Sequence, residues 1–130
     1  MKAADLANRF YESLSVGDMT SAMGLLDAEV EWLDPEGWPY PQRSIGPEQV
    51  MSNIFMRIAA DWADFRIDVQ EMIDADDRAV AFGMYTGISK ATGRSMRAAF
   101  SHRWQAKDSK IVRFLVCADT LKFREPLTKV

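Results

Sequence analysis

Met96-Arg97-Ala98-Ala99-Phe100-Ser101-His102-Arg103-Trp104 alternates with period two, Met96, Ala98, Phe100, His102 and Trp104 on one side and Arg97, Ser101 and Arg103 on the other. Successive side chains of a strand point to opposite faces, so this stretch predicts a half-buried strand whose inner row carries the chain's single histidine. Working outward, the same period governs Phe65, Ile67 and Val69, and then Val80, Phe82, Met84 and Thr86. Asp76-Asp77, Thr92-Gly93 and Asp108-Ser109 fall in the breaks, where antiparallel hairpins turn. The last strand, read as Ile111 to Phe123, is apolar on both sides, with Val112, Phe114 and Val116 on one and Leu115 and Cys117 on the other. That predicts a central strand or one whose outer face meets another subunit.

Upstream the period changes. Leu6, Phe10 and Leu14 recur every fourth residue with Ala3, Ala7 and Tyr11 beside them, which draws one apolar helix stripe ended by Gly17. Asp18 is placed to cap a second short helix with Met19, Ala22, Met23 and Leu26 inside. Pro47 opens a third helix, whose Val50, Met51, Ile54, Phe55, Ile58 and Trp62 form a broad apolar face to lie across the sheet. Between them, Val30, Trp32 and Asp34 share one face of a strand, so Asp34 points where Trp32 points. Pro35, Gly37, Pro39, Pro41 and Gly46 then predict an irregular loop suited to a pocket rim, with Trp38 and Tyr40 on it. Helices followed by a meander that curls around them make an α+β fold, in one domain over residues 1–130.

Composition narrows the function classes. A chain of 130 residues, 48% hydrophobic, can bury a true core. With 16 Lys+Arg against 19 Asp+Glu there is no charge excess to attract a phosphate backbone, so nucleic acid is not an expected partner. Asp5 and Arg9 interrupt the apolar stretch that a signal peptide needs. The apolar run from Ala79 to Tyr85 is far short of the roughly 20 residues that span a bilayer. Cys117 is the only thiol and cannot form an intrachain disulfide. A cytoplasmic protein that does not enter membranes is expected. One histidine and one cysteine are too few for a typical zinc or iron site, and no glycine-rich phosphate loop follows a strand, so neither metal nor nucleotide cofactor is expected.

Phe10-Tyr11-Glu12-Ser13-Leu14, Gly17-Asp18, Val30-Glu31-Trp32-Leu33-Asp34-Pro35, Arg43-Ser44-Ile45-Gly46, Ser101-His102-Arg103-Trp104 and Lys110-Ile111-Val112-Arg113-Phe114 together resemble the nuclear transport factor 2-like superfamily, most closely its ketosteroid isomerase-related, SnoaL-like polyketide cyclase branch. The resemblance covers about the whole chain. It implies a cystatin-like α+β barrel: a cone of curved, mostly antiparallel sheet around three N-terminal helices, with an apolar cavity and often a homodimer formed through the sheet. It further implies that Asp34, in an Asp-Pro pair ahead of Arg43-Ser44-Ile45-Gly46, occupies the position of the isomerase general base. The isomerases' two oxyanion donors, a tyrosine and a protonated aspartate, align with Phe10 and Phe100. The last-strand acid of related cyclases and epoxide hydrolases aligns with Val116. An enolate in an apolar site needs hydrogen-bond donors, so His102 and Trp104, with the hydroxyls of Tyr11 and Tyr40, become the candidates.

Each residue also has a plainer reading. Asp34 could cap the turn from Pro35 to Gly37, and His102 could be a hydrogen-bonded core residue. Ser101 and His102 face opposite sides of a strand and cannot pair. Cys117 reads as an inert buried thiol, and Asp119 as structural, holding the C-terminal segment or a dimer contact. Two functions fit. One is cofactor-free proton transfer on a small hydrophobic carbonyl compound, with Asp34 as base, His102 orienting, and Phe10, Tyr11, Trp32, Trp38, Tyr40, Phe82, Met84, Phe100, Trp104, Phe114 and Val116 around the ligand. The other is a non-catalytic hydrophobic-ligand module or dimeric scaffold.

Overall fold

The apolar stripe at the N-terminus forms a helix, α1 (Ala3–Ser15), which buries Ala3, Leu6, Ala7 and Phe10. Gly17 takes a positive φ of 74° just past its end, and Asp18 caps α2 (Met19–Gly24) by accepting from the Ser21 N–H at 3.0 Å. Leu26 belongs not to that helix but to the first strand, β1 (Leu26–Leu33). The computed structural model describes residues 1–128. Its sheet continues with β2 (Arg43–Ile45), β3 (Trp62–Ala75), β4 (Arg78–Ser89), β5 (Ser95–Lys107) and β6 (Lys110–Ala118), in the order β2-β1-β6-β5-β4-β3. β1 runs parallel to β6; every other neighbouring pair is antiparallel.

The apolar face read after Pro47 is one helical rod in three segments: α3 (Gly46–Val50), a π-helical stretch (Met51–Phe55) and α4 (Met56–Asp61). Trp62, expected on that helix, instead starts β3, where its indole N–H donates to the Tyr40 hydroxyl at 3.0 Å. The loop after Asp34 is irregular only as far as its last proline. Arg43–Ile45 pair with Glu31–Leu33, and the Arg43 guanidinium meets the Glu31 carboxylate at 3.1 Å on the open edge.

The final strand stops at Ala118. Asp119 caps α5 (Thr120–Arg124), accepting from the Lys122 N–H at 3.1 Å, which gives it the structural role expected of it. The turn carries Phe123 inward, where it is fully buried and stacks on Trp38 with centroids 4.1 Å apart. Phe123→Ala is expected to destabilise the fold by about 3–5 kcal/mol, read as a lower urea midpoint, because the cavity would open under the Trp38 loop.

The inner face of β4 corrects the sequence reading. Ala79, Ala81, Gly83, Tyr85 and Ser89 face the core, so Phe82 and Met84 lie on the outer face, Phe82 being exposed. Across the ladder, Ala79 pairs with Trp104, Ala81 with His102 and Gly83 with Phe100. Small residues opposite large ones let the rings of β5 fill the concave side. A Cβ at Gly83 would come within 2.7 Å of the Phe100 ring and 2.0 Å of the Asp68 carbonyl oxygen, so only glycine fits. Bulges between Ala63 and Arg66 and between Val69 and Glu71 interrupt β3 and bend it. A register shift between Gln105 and Ala106 puts Ile111, rather than Val112, in the core alongside Phe114 and Val116. Cys117, expected buried, is exposed on the outer face.

Candidate functional site

Asp34 lies one residue past the end of β1, where its backbone N–H donates to the Gln42 carbonyl at 2.8 Å and holds the loop's return. Its side chain continues the row of Val30 and Trp32 into the interior and is 8% exposed. No hydrogen bond ties the carboxylate to the Pro35–Gly37 turn among the described residues, and Oδ2 is buried without any partner. Desolvation raises its pKa from 3.8 to about 7.

The same pocket is lined by a chain of hydrogen bonds centred on His102. The Tyr11 hydroxyl lies 2.6 Å from Nδ1 and the Tyr85 hydroxyl 2.5 Å from Nε2. The Trp104 indole N–H donates to the Tyr11 hydroxyl at 2.9 Å. Phe100 stacks on the imidazole with centroids 4.0 Å apart. Burial depresses the His102 pKa from 6.5 to about 3, so the ring is neutral throughout the physiological range. Burial also raises both tyrosines above the ordinary phenol value, and the negative charge of ionised Asp34 pushes Tyr85 up further. Both phenols therefore keep their protons.

These groups line one pocket together with Phe10, Trp32, Trp38 and Phe114. The residual space is about 30 Å³, room for a water-sized guest. Tyr11, Leu14, Phe55, Ile58, Phe65 and Ile67 also line a wide outer cleft of about 1010 Å³, between α1, the helical rod and β3. Among the described residues, the buried side-chain polar atoms without a partner are Asp34 Oδ2, Trp32 Nε1 and Trp38 Nε1, all on residues of the inner pocket. Buried polar groups are ordinarily satisfied, so two free N–H donors and a free carboxylate oxygen in one pocket mark a place for a polar guest.

The model of the SnoaL-like domain matches residues 7–114, most of the chain and every residue that lines the pocket. The chain belongs to the SnoaL-like domain family. An NTF2-like protein from Burkholderia thailandensis superposes with a TM-score of 0.95 at 22% identity, over 99% of both chains. TerC, co-crystallized with polyporic acid, gives 0.84 at 22% identity over 95% of each chain. A candidate polyketide cyclase from Streptomyces antibioticus, IdmH, gives 0.81 at 17% identity over 98% of this chain and 99% of that one. At these identities the likeness is one of fold. No curated protein matches the chain.

Within this SnoaL-like domain the sequence-predicted residues divide. Asp34, His102, Phe10, Tyr11, Trp32, Trp38, Trp104 and Phe114 come together around the pocket. Phe100 and Val116 are buried in the same core without lining it. Tyr40 is occupied by Trp62, and Phe82 and Met84 belong to the other face. Phe10, aligned with the isomerase tyrosine, packs on Trp32, Phe55 and Trp104, while the next residue, Tyr11, carries the inward hydroxyl. Tyr85 was missed by the strand parity assigned to β4. Its signal lay in the small residues Ala79, Ala81 and Gly83, which mark the face able to receive the large side chains of β5.

The two shifted groups leave a mark on stability. Protonated Asp34 is favoured in the native state between pH 3.8 and about 7, so its contribution falls as pH rises through that window. Neutral His102 is favoured in the native state between about 3 and 6.5, so its contribution rises with pH there. Between about pH 4 and 6.5 the slopes, each roughly 1.4 kcal/mol per pH unit, oppose and cancel. Urea unfolding of Asp34→Asn is expected to expose the His102 slope, stability climbing with pH from 4 to 6.5 where the parent protein lacks that climb.

Proposed function

We propose that this protein is a cofactor-free proton-transfer enzyme acting on a small, flat, hydrophobic carbonyl compound, with Asp34 as general base. The observation that carries this reading is the buried Asp34 carboxylate, unpartnered at Oδ2, in the same pocket as tyrosine hydroxyl donors. Asp34 would take a proton from the carbon next to the carbonyl. The C–H electron pair moves into the C–C bond, the carbonyl oxygen becomes an enolate, and a tyrosine hydroxyl with an indole N–H holds that charge. Asp34 then returns the proton to carbon. A base with a pKa of about 7 both accepts and gives up a proton near neutrality. The apolar body of the ligand would rest in the outer cleft, where Met19, Met51 and Met56 offer adaptable surface.

The test is hydrogen–deuterium exchange at the α-carbon of enolisable benzylic ketones such as 2-tetralone, followed by proton NMR in D2O. Acceleration by the parent protein that is lost in Asp34→Asn is expected. Exchange unaffected by the substitution would refute Asp34 as the base. A second reading, a non-catalytic module for hydrophobic ligands, is favoured by the small residual space of about 30 Å³. It predicts quenching of Trp32 and Trp38 fluorescence by the same ketones without any exchange.

The outer sheet face supports a homodimer. Phe82, Ile73 and Ile88 are exposed there or on its edge strands, with Met84 and Leu115 half-buried nearby. An apolar surface of this kind is a common interaction site, and a second copy of the chain is the partner we assign to it. Phe82→Asp is expected to convert the dimer to monomer in light scattering at micromolar concentration. A monomeric parent protein would remove the assignment. No helix among the described residues is long and apolar enough to cross a membrane, and a cytoplasmic location remains part of this reading.

A further inference from the structure

The hydrogens of the His102 network can be counted. A neutral imidazole has one N–H donor and one bare nitrogen acceptor, and each phenol has one O–H. With the Trp104 N–H there are four hydrogens, and three contacts to use them: Trp104 to Tyr11, Tyr11 with Nδ1, and Tyr85 with Nε2. One hydroxyl proton is always left over. If Nδ1 carries the ring proton, it donates to Tyr11, Tyr85 donates to Nε2, and the spare proton is on Tyr11. If Nε2 carries it, Tyr11 donates to Nδ1, and the spare proton is on Tyr85.

We propose that His102 is a positioning residue whose tautomer assigns this spare donor to Tyr11 or to Tyr85, and that the charge on Asp34 selects between them. The catalytic use of the device rests on the proton-transfer reading above; the tautomer itself does not need a substrate. Among the described residues Asp34 is the one carboxylate lining the pocket, and its charge acts on the Tyr85 hydroxyl. When ionised, it draws the Tyr85 proton toward itself, which leaves Tyr85 to accept from Nε2–H. When protonated, it releases that pull, and Tyr85 turns its proton to Nε2 while Tyr11 presents its own to the pocket.

The exchange balances through one pocket water. In passing from the Nε2–H to the Nδ1–H form, the Nε2 proton passes to Tyr85 and the Tyr85 spare proton passes to the water. The water returns a proton to Tyr11, and the former Tyr11 proton passes to Nδ1. The residual space has room for that water. Among the described residues no other titratable group lines the pocket: α1 supplies Tyr11, the end of β1 Asp34, β4 Tyr85 and β5 His102, while the helical rod, β3 and β6 supply only apolar side chains. Asp64, Arg66 and Asp68 of β3 stand at the cleft, exposed to solvent.

Because the chain has a single histidine, ¹⁵N-histidine labelling of the whole protein gives one pair of ring-nitrogen resonances. From pH 5 to 9 the ring is expected to stay neutral while the two resonances move in opposite directions, toward the Nε2–H form at high pH, with a midpoint at the Asp34 titration. Asp34→Asn is expected to abolish the movement. Tyr85→Phe, which removes the acceptor for Nε2–H, is expected to hold the ring as the Nδ1–H form at every pH. A single tautomer fixed from pH 5 to 9 in the parent protein, or a transition that persists in Asp34→Asn, overturns the proposal. Either result would leave the ketone exchange assay free to succeed or fail on its own.

Discussion

Asp34→Asn is expected to slow α-carbon exchange of a bound ketone by about 10²- to 10⁴-fold, the usual share of a positioned general base. Binding should change far less, since the asparagine keeps the size of the side chain and the aromatic walls are untouched. The loss should therefore appear in turnover rather than in ligand affinity. The same substitution removes a buried group that is costly to ionise, so the variant should be more stable than its parent at pH 8. A variant that loses exchange while gaining stability would be hard to explain by misfolding. That pairing separates a catalytic carboxylate from a structural one.

Removing both hydroxyls, in Tyr11→Phe/Tyr85→Phe, is expected to cost about 10²- to 10³-fold in exchange, the range for loss of an oxyanion donor. The rings would keep their packing, because Tyr11 meets Trp104 edge-on at 5.5 Å and Tyr85 stacks on Phe65 at 5.6 Å through their faces and edges. What is lost is both hydroxyl donors of this network, leaving only the N–H groups of His102 and Trp104. His102 would also lose both of its hydrogen-bond partners, so the fold should weaken by a few kcal/mol, on the order of the penalty for leaving buried polar groups unpaired. Stopped exchange in a protein still folded at 25 °C is the expected result. Exchange retained in the double variant would transfer the oxyanion role from the hydroxyls to the N–H donors of the pocket, those of Trp32, Trp38, Trp104 and His102.

Much of this architecture could be read from periodicity because the buried faces are regular. The stripe of α1, the cap at Asp18 and the inner row of β5 follow directly from spacings of four and two. The path of Asp34 into the interior followed from its parity with Trp32, and the coordinates place both side chains in the core. Errors arose where both faces of a strand are apolar or where a local device intervenes. In β4, Phe82 and Met84 outweighed alanine and glycine by hydrophobicity, although the inner face is the one that must make room for Phe100, His102 and Trp104. Trp62 fitted a helical face as well as a strand. Asp119 ended β6 by capping a helix whose only core residue, Phe123, had looked like strand.

The hydroxyl of Tyr85 was out of reach for a related reason. Its partner His102 is distant in sequence, and the pairing depends on the β4–β5 register, which Gly83 and the bulges of β3 fix together. With Phe10 and Phe100 at the isomerase donor positions, the sequence left His102, Trp104, Tyr11 and Tyr40 as candidate donors. Tyr11, one residue along the same helix, and Tyr85, one strand away, place hydroxyls on the two nitrogens of His102.

Asp34 is a buried carboxyl whose Oδ2 has no hydrogen-bond partner among the described residues, and its titration is the property on which its proposed role depends. ¹³C-carboxyl NMR of aspartate-labelled protein tests it most directly, with the Asp34 resonance identified by its absence in Asp34→Asn. The expected titration midpoint is about 7. A midpoint at or below the ordinary 3.8 would place the carboxylate in water or in a salt bridge and contradict the account.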